Sequence, residues 1–112
     1  MRGGWAAFFR EFDVLLCPIT PTAAIPHDHS EPVNRRTILV NGRARPYWDQ
    51  LAWVGMVGVA GLPATATPIG STPGGLPVGI QVVGPYLEDH TAIAFAGHLA
   101  DLAGGCRRPP GC

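Results

Sequence analysis

The run Phe12-Asp13-Val14-Leu15-Leu16-Cys17, stopped by Pro18, limits what this chain can fold into more than any other feature. An almost unbroken apolar stretch of strand length, closed by a proline, suits a β-strand covered on both faces. Such a strand needs one layer above it and another below. The chain has 112 residues, room for one small domain that buries about two-thirds of the surface exposed when unfolded. What the other segments offer as cover therefore decides whether the chain can close a core of its own.

Ahead of that strand, residues 4–11 read as a short helix, with Trp5, Phe8, Phe9 and Phe12 recurring at near-helical spacing. Residues 18–46 hold five prolines and much polar sequence. They read as a long surface excursion with one short extended piece at Ile38-Leu39-Val40, a length that is usually functional or belongs to something larger. A second helix is expected from Asp49, as N-cap, to about Val59. Gly55, Gly58 and Gly61 strip one face of it bare. A helical glycine costs about 1 kcal/mol against alanine, so the spacing points to a close approach by a backbone or a ligand, packing being the commoner reason.

Residues 63–68 and 77–83 read as strands, the second placing Val78, Ile80 and Val82 on one face and Gly79, Gln81 and Val83 on the other. The Gly/Pro-rich stretch 70–75 between them predicts an antiparallel hairpin. Asp89 is expected to cap a last helix to about Ala103, with Ala92, Phe95, Ala96, Leu99 and Ala103 on one face. Gly104-Gly105 ends it and Pro109-Pro110 prevents its resumption. Three strands and one clear amphipathic helix do not cover a doubly apolar strand. The expectation is an incomplete layered α/β structure.

Charge excludes some partners. Eight arginines balance eight acidic residues, and like charges run no further than Arg35-Arg36 and Arg107-Arg108. A nucleic-acid-binding face would need clustered positive charge, so no such partner is expected. Every positive side chain is arginine; the sequence has no lysine. Cys17, Cys106 and Cys112 form an odd set without paired spacing, against a disulfide framework or a zinc site and in favour of a reducing compartment. Met1-Arg2-Gly3-Gly4-Trp5 lacks the apolar core of a signal peptide, and the nearly apolar stretch from Leu51 to Leu62 is too short to span a bilayer as a helix. A cytoplasmic protein, away from membranes, is expected.

The order of motifs carries a family resemblance. Phe12-Asp13-Val14-Leu15-Leu16-Cys17-Pro18 with Thr20-Pro21-Thr22-Ala23-Ala24, then Gly61-Leu62-Pro63-Ala64-Thr65-Ala66-Thr67-Pro68, then Gly75-Leu76-Pro77-Val78-Gly79-Ile80-Gln81-Val82-Val83-Gly84 resemble, in order, segments of the amidase-signature family. The closing Arg108-Pro109-Pro110-Gly111 is similar to the C-terminus of some members. Together these span almost the whole chain. The resemblance implies the C-terminal part of the amidase-signature fold, a mixed twisted β-sheet flanked by helices, incomplete as a stand-alone sheet. On this reading residues 1–112 are the C-terminal portion of a single amidase-signature domain, and Met1 falls at the start of what should be an interior helix.

The family cleaves amides with a nucleophilic serine, a second serine in a cis peptide and a lysine base. Burial can lower the lysine pKa enough for it to accept a proton. A non-proline cis peptide costs about 3 kcal/mol and persists only where its surroundings hold it. Those residues lie around a Gly-Gly-Ser-Ser-Gly segment that is absent here, and the only serines are Ser30 and Ser71. No catalytic residue is therefore assigned, and the isolated chain is expected to be inactive. Neither serine sits in a Gly-x-Ser-x-Gly elbow. Cys17 reads as a structural thiol, His27-Asp28-His29 as a solvated loop and His90 and His98 as helix-surface residues. No metal or organic cofactor is expected.

The stretch from Pro46 to Trp53 resembles the family segment that in some members lines the acyl or amide pocket. Carried over, Asp49 would be a polar contact to a small amide substrate, with Tyr47 and Trp53 as pocket walls; the plainer reading is an N-cap carboxylate beside core aromatics. The resemblance also implies a partner, whether the missing N-terminal half or another copy of the chain.

Overall fold

The computed structural model describes residues 2–108. The expectations that rest on Met1, Pro109-Pro110, Gly111 and Cys112 lie outside the described residues. The chain runs through helix α1 (Arg2–Phe8), strand β1 (Leu15–Pro18), a hairpin of β2 (Thr37–Val40) and β3 (Arg43–Pro46), helix α2 (Ala52–Ala60), strands β4 (Ala64–Ser71) and β5 (Pro77–Val83), and helix α3 (Asp89–Ala103). Single 3-10 turns at Val33–Arg35 and Tyr47–Leu51 interrupt the connections.

β5 is the centre of the fold. The three-stranded sheet has the order β1-β5-β4 with both pairings antiparallel. β4 and β5 form the expected hairpin, but β4 continues past Pro68 to Ser71. It does so through a bulge at Ile69, where the register steps from Pro68 opposite Gly79 to Gly70 opposite Val78. A bulge accommodates one extra residue without losing the pairing beyond it.

Alternation along β5 builds two small cores, one on each face. Val82 points to α3 and packs with Ala92 and Ala96, flanked by Val14, Phe95 and Leu99. Val83 points the other way, to Cys17 and Val57, flanked by Phe9, Leu15 and Leu62. Both valines are wholly buried, at 0% exposure. The small residues Ala92 and Ala96 let α3 lie close on the sheet, and Thr67 anchors it by donating its hydroxyl to the Ala96 carbonyl at 3.4 Å. Gly84 makes the approach possible at the end of β5. A Cβ there would stand 3.2 Å from the Glu88 carbonyl oxygen and 3.3 Å from the Ala92 Cβ. α2 stops at the left-handed Gly61 (φ 67°), with the Leu62 N–H folding back to the Val57 carbonyl at 3.3 Å. α3 stops in the same way at Gly104 (φ 86°).

Several sequence expectations need correction. The long excursion is not unstructured: β2 and β3 pair antiparallel across Asn41-Gly42, whose positive φ values of 50° and 75° fit the two-residue hairpin turn. β3 carries no strand signal of its own, because Arg43-Ala44-Arg45-Pro46 is exposed throughout and shows no apolar alternation. β1 begins at Leu15 rather than Phe12, and only one of its faces is well covered: Cys17 is buried while Leu16 is 41% exposed. Asp49 does not cap α2, because the 3-10 turn moves the helix start to Ala52, preceded by Leu51 with no side-chain cap. Asp89 is the first residue of α3, and Glu88 precedes it at the cap position.

α2 shows most clearly that the core is unfinished. Its sequence, Ala52-Trp53-Val54-Gly55-Met56-Val57-Gly58-Val59-Ala60, contains no polar side chain. A helix apolar all round belongs in a protein interior. Here only Val57 and Ala60 are buried, while Val59 is 75% exposed. Among the described residues, no heavy atom beyond the helix's own backbone lies within 4 Å of a Cβ built on Gly55 or Gly58.

Candidate functional site

Beyond β1 the chain continues beside β5, and the segment from Ile19 to Ala24 forms one wall of an open groove of about 780 Å³. The opposite walls come from Trp53 on α2, Ile69 in the β4 bulge and Val78 to Ile80 on β5. Gly79 sets how near the two walls come. A Cβ at that position would lie 3.0 Å from the Ile19 Cδ1 and 3.2 Å from the Thr67 carbonyl oxygen, so only glycine lets Ile19 lie against β5 unshifted.

The groove is apolar, with few polar groups. Cys17 lines it from a buried position, and its sulfur accepts a hydrogen bond from the Gln81 amide at 3.2 Å. The Thr20 hydroxyl donates to the Thr22 carbonyl at 2.7 Å, closing a local turn. The Thr22 hydroxyl is buried with no hydrogen-bond partner. A concave, mostly apolar surface with a few fixed polar atoms suits a small organic ligand.

What the groove lacks is equally informative. Among the described residues, no carboxylate, imidazole or basic side chain lines it. Ser30 and Ser71 are both exposed and neither lines it. The Ser30 N–H is taken by the Asp28 carboxylate at 2.9 Å, and the Ser30 carbonyl accepts from the Arg36 Nε at 2.6 Å. The Ser30 hydroxyl and then its N–H hold the Asp28 carboxyl below its ordinary pKa. His27 and His29 stand with ring centroids 6.0 Å apart in the same exposed loop. Among the described residues, no group of three His, Cys, Asp or Glu side chains is placed to hold a metal ion.

The three candidate binding residues are not brought together. Trp53 lines the groove, whereas Tyr47 and Asp49 do not. The Asp49 carboxylate accepts the Arg45 Nε–H at 2.7 Å, a link between β3 and the 3-10 turn. The Tyr47 ring lies 5.9 Å from the Arg36 guanidinium and 5.9 Å from the Trp48 ring. The wall from Ile19 to Ala24 was missed as a lining element. Its signal, the Thr20-Pro21-Thr22 stretch, carried the family resemblance and was not read as part of a site.

A groove wall built on a central antiparallel strand, and lined among the described residues by no carboxylate, imidazole or basic side chain, is a structural share of an α/β fold. The chain belongs to the amidase family, whose model matches residues 1–93. It is 34% identical over 107 residues to the A-type component of glutamyl-tRNA(Gln) amidotransferase from Bordetella petrii, covering 94% of this chain and 19% of that protein. It is also 33% identical over 98 residues to fatty-acid amide hydrolase 2-A of Danio rerio, covering 86% of this chain and 15% of the relative. Among solved structures, an amidase crystal structure superposes with a TM-score of 0.76 at 27% identity, covering 92% of this chain and 22% of that one. A component of a vestigial protein complex, described in connection with the origins of an s-triazine catabolic enzyme, superposes with a TM-score of 0.74 at 28% identity over 95% of this chain and 22% of its own. The chain thus spans about a fifth of the length of the relatives it matches and forms a partial amidase-signature fold, as its motifs implied. Among the described residues, no helix is long and apolar enough to cross a membrane.

Proposed function

We propose that this chain is the C-terminal portion of a single amidase domain, supplying sheet, groove wall and stability to an enzyme that cleaves the C–N bond of a small amide. The reaction is the Ser–cis-Ser–Lys hydrolysis implied by the family resemblance, with the three catalytic residues outside this chain and no metal or organic cofactor. One observation carries the reading: a groove wall on a partial amidase fold occurs in a chain with no lysine and with both serines exposed outside the groove. A serine nucleophile needs a base within hydrogen-bond reach, and the residues lining this groove include none. On this reading the isolated chain is inactive, and in the intact enzyme Trp53 and Tyr47 are pocket walls and Asp49 a polar contact to the substrate. The compartment is the cytoplasm.

The test is to graft the chain onto the amino-terminal part of the Bordetella petrii amidotransferase relative and compare amide hydrolysis by the isolated chain and the chimera. The expected result is no turnover by the isolated chain, turnover by the chimera, and a raised KM when Trp53 is replaced by alanine. Turnover by the isolated chain, or a folded chimera without activity, would refute the proposal.

A second reading is favoured by α2, where Trp53, Met56 and Val59 all remain exposed, as does Leu51 in the 3-10 turn before it. In this reading the chain is a non-catalytic protein that completes a separate partner chain carrying the catalytic half. A contiguous apolar face of this kind marks an interface or promotes self-association. Co-expression with such a half, followed by gel filtration, separates the two readings. A stable 1:1 complex favours the split protein, and aggregation in both the presence and absence of the half favours a covalently continuous enzyme.

A further inference from the structure

Granted the amide-hydrolase reading above, the groove beside β5 also indicates which amides it would take. Its side chains are hydrocarbon on every wall, with Ile19 and Ala23 on one and Trp53, Ile69, Val78 and Ile80 on the others. Among the described residues, no side chain lining it carries a charge.

The few polar side chains of the lining are committed elsewhere. The Cys17 sulfur is engaged by the Gln81 amide at 3.2 Å, and the Thr20 hydroxyl by the Thr22 carbonyl at 2.7 Å. Thr22 itself is only half-buried, yet its hydroxyl oxygen is shielded from solvent, so that oxygen is not among the atoms the groove offers. A surface of this kind sorts ligands by charge. Hydrocarbon gains by leaving water for it, whereas a carboxylate or an ammonium would give up hydration and find no partner in return.

We propose that this groove holds the acyl chain of the substrate and selects primary amides whose acyl group is apolar and uncharged. In a primary amide the acyl group is the only hydrocarbon there is to bury. An acyl group ending in a carboxylate or an ammonium is excluded, because this wall leaves its charge unpaired. The Asp49 contact proposed above falls outside this lining, on the amide group.

The probes are 4-methylpentanamide and succinamate, which share the amide and the chain length; two methyls of the first stand where the second has carboxylate oxygens. Saturation-transfer-difference NMR reads weak ligands at low micromolar protein, and binding to the parent chain requires no catalytic residue. 4-Methylpentanamide is expected to give a saturable response with a midpoint in the millimolar range. Succinamate should bind at least about tenfold more weakly at matched ionic strength. Within bound 4-methylpentanamide, the two methyls should take up more saturation than the methylene beside the amide. Ile69 is 43% exposed in the β4 bulge, a position open to a longer side chain. Ile69→Arg should weaken 4-methylpentanamide about fivefold and bring succinamate to comparable binding, through a guanidinium–carboxylate contact. Equal binding of the two probes, a preference for succinamate, saturation concentrated at the amide end, or no saturable response would each overturn the proposal. So would an unchanged preference in an Ile69→Arg chain that circular dichroism shows to be folded; if that variant does not fold, the parent-chain readouts decide. Failure of the hydrolase reading shows separately, as a folded chimera that turns over no amide while the parent chain still selects 4-methylpentanamide.

Discussion

Replacing Gly55 and Gly58 together by alanine should make the isolated chain more stable, while Gly84→Ala should make it less so. The first two lie inside α2, and a Cβ at either meets no heavy atom within 4 Å. Nothing steric opposes the usual helical preference for alanine of roughly 0.5–1 kcal/mol per site. The double variant should therefore gain about 1–2 kcal/mol. For a chain of this size the urea dependence is on the order of 1–2 kcal/mol per molar, so the unfolding midpoint should rise by roughly 1 M. At Gly84 the new methyl would press on the Glu88 carbonyl at the cap of α3 and on Ala92 in its first turn, at 3.2–3.4 Å. Overpacking of this kind costs about 1–3 kcal/mol and should lower the midpoint by a comparable step. Far-UV circular dichroism at low micromolar protein, with reversibility checked by dilution, is the assay. A lower midpoint for the Gly55→Ala, Gly58→Ala chain would mean that another part of the chain packs on that stripe, and the claim that α2 is half uncovered would be wrong. The same double variant tests the proposed function from the other side. In the chimera, two added methyls would occupy the space left for the rest of the fold, so activity should fall although the isolated chain has become more stable.

Val82→Ala should cost about 2–3 kcal/mol, since it removes two buried carbons from the α3 core and leaves a cavity, whereas Val59→Ala, at 75% exposure, should stay within about 0.5 kcal/mol of the parent in the same urea assay. Asp49→Asn should change stability by less than about 1 kcal/mol, because its bond to Arg45 joins a partly exposed carboxylate to a largely exposed guanidinium; a larger loss in urea would show a deeper structural role for the turn. Asp28 should titrate below the ordinary carboxylate value of 3.8 because the Ser30 hydroxyl and N–H favour its ionised form. Its stabilising contribution is accordingly full above that value and disappears as the pH falls through the lower folded pKa. Carboxyl NMR titration should show the midpoint rising in Ser30→Ala, and an unchanged midpoint would refute the assignment.

Local chemistry made much of this architecture readable in advance. Small alternating residues gave β4, the two-faced pattern of residues 77–83 gave β5, and the 3.6-residue spacing of Ala92, Phe95, Ala96 and Leu99 gave α3 with its glycine stop. These features depend on near neighbours, and near neighbours are adjacent in the sequence. The β2–β3 hairpin has its turn signal in Asn41-Gly42, but an exposed strand of alternating arginines does not show the apolar rhythm of a half-buried one. The placement of Asp49 depended on a competitor: Arg45 drew its carboxylate away, and the 3-10 turn moved the helix start three residues on.

The sequence by itself determined the family, the absence of lysine, the principal strands and helices, and the need of a doubly apolar segment for more cover than the chain supplies. Only the tertiary structure decided that β1 lies beside β5, joining Cys17 to Gln81 across 64 positions of sequence, and that Trp53 reaches the groove while Tyr47 and Asp49 do not. It also decided that, among the described residues, no other element packs against Gly55 or Gly58 of α2. Periodicity states which side of an element is apolar; what meets that side follows from long-range packing, in which the free energy of burial depends on every surface competing for the same face.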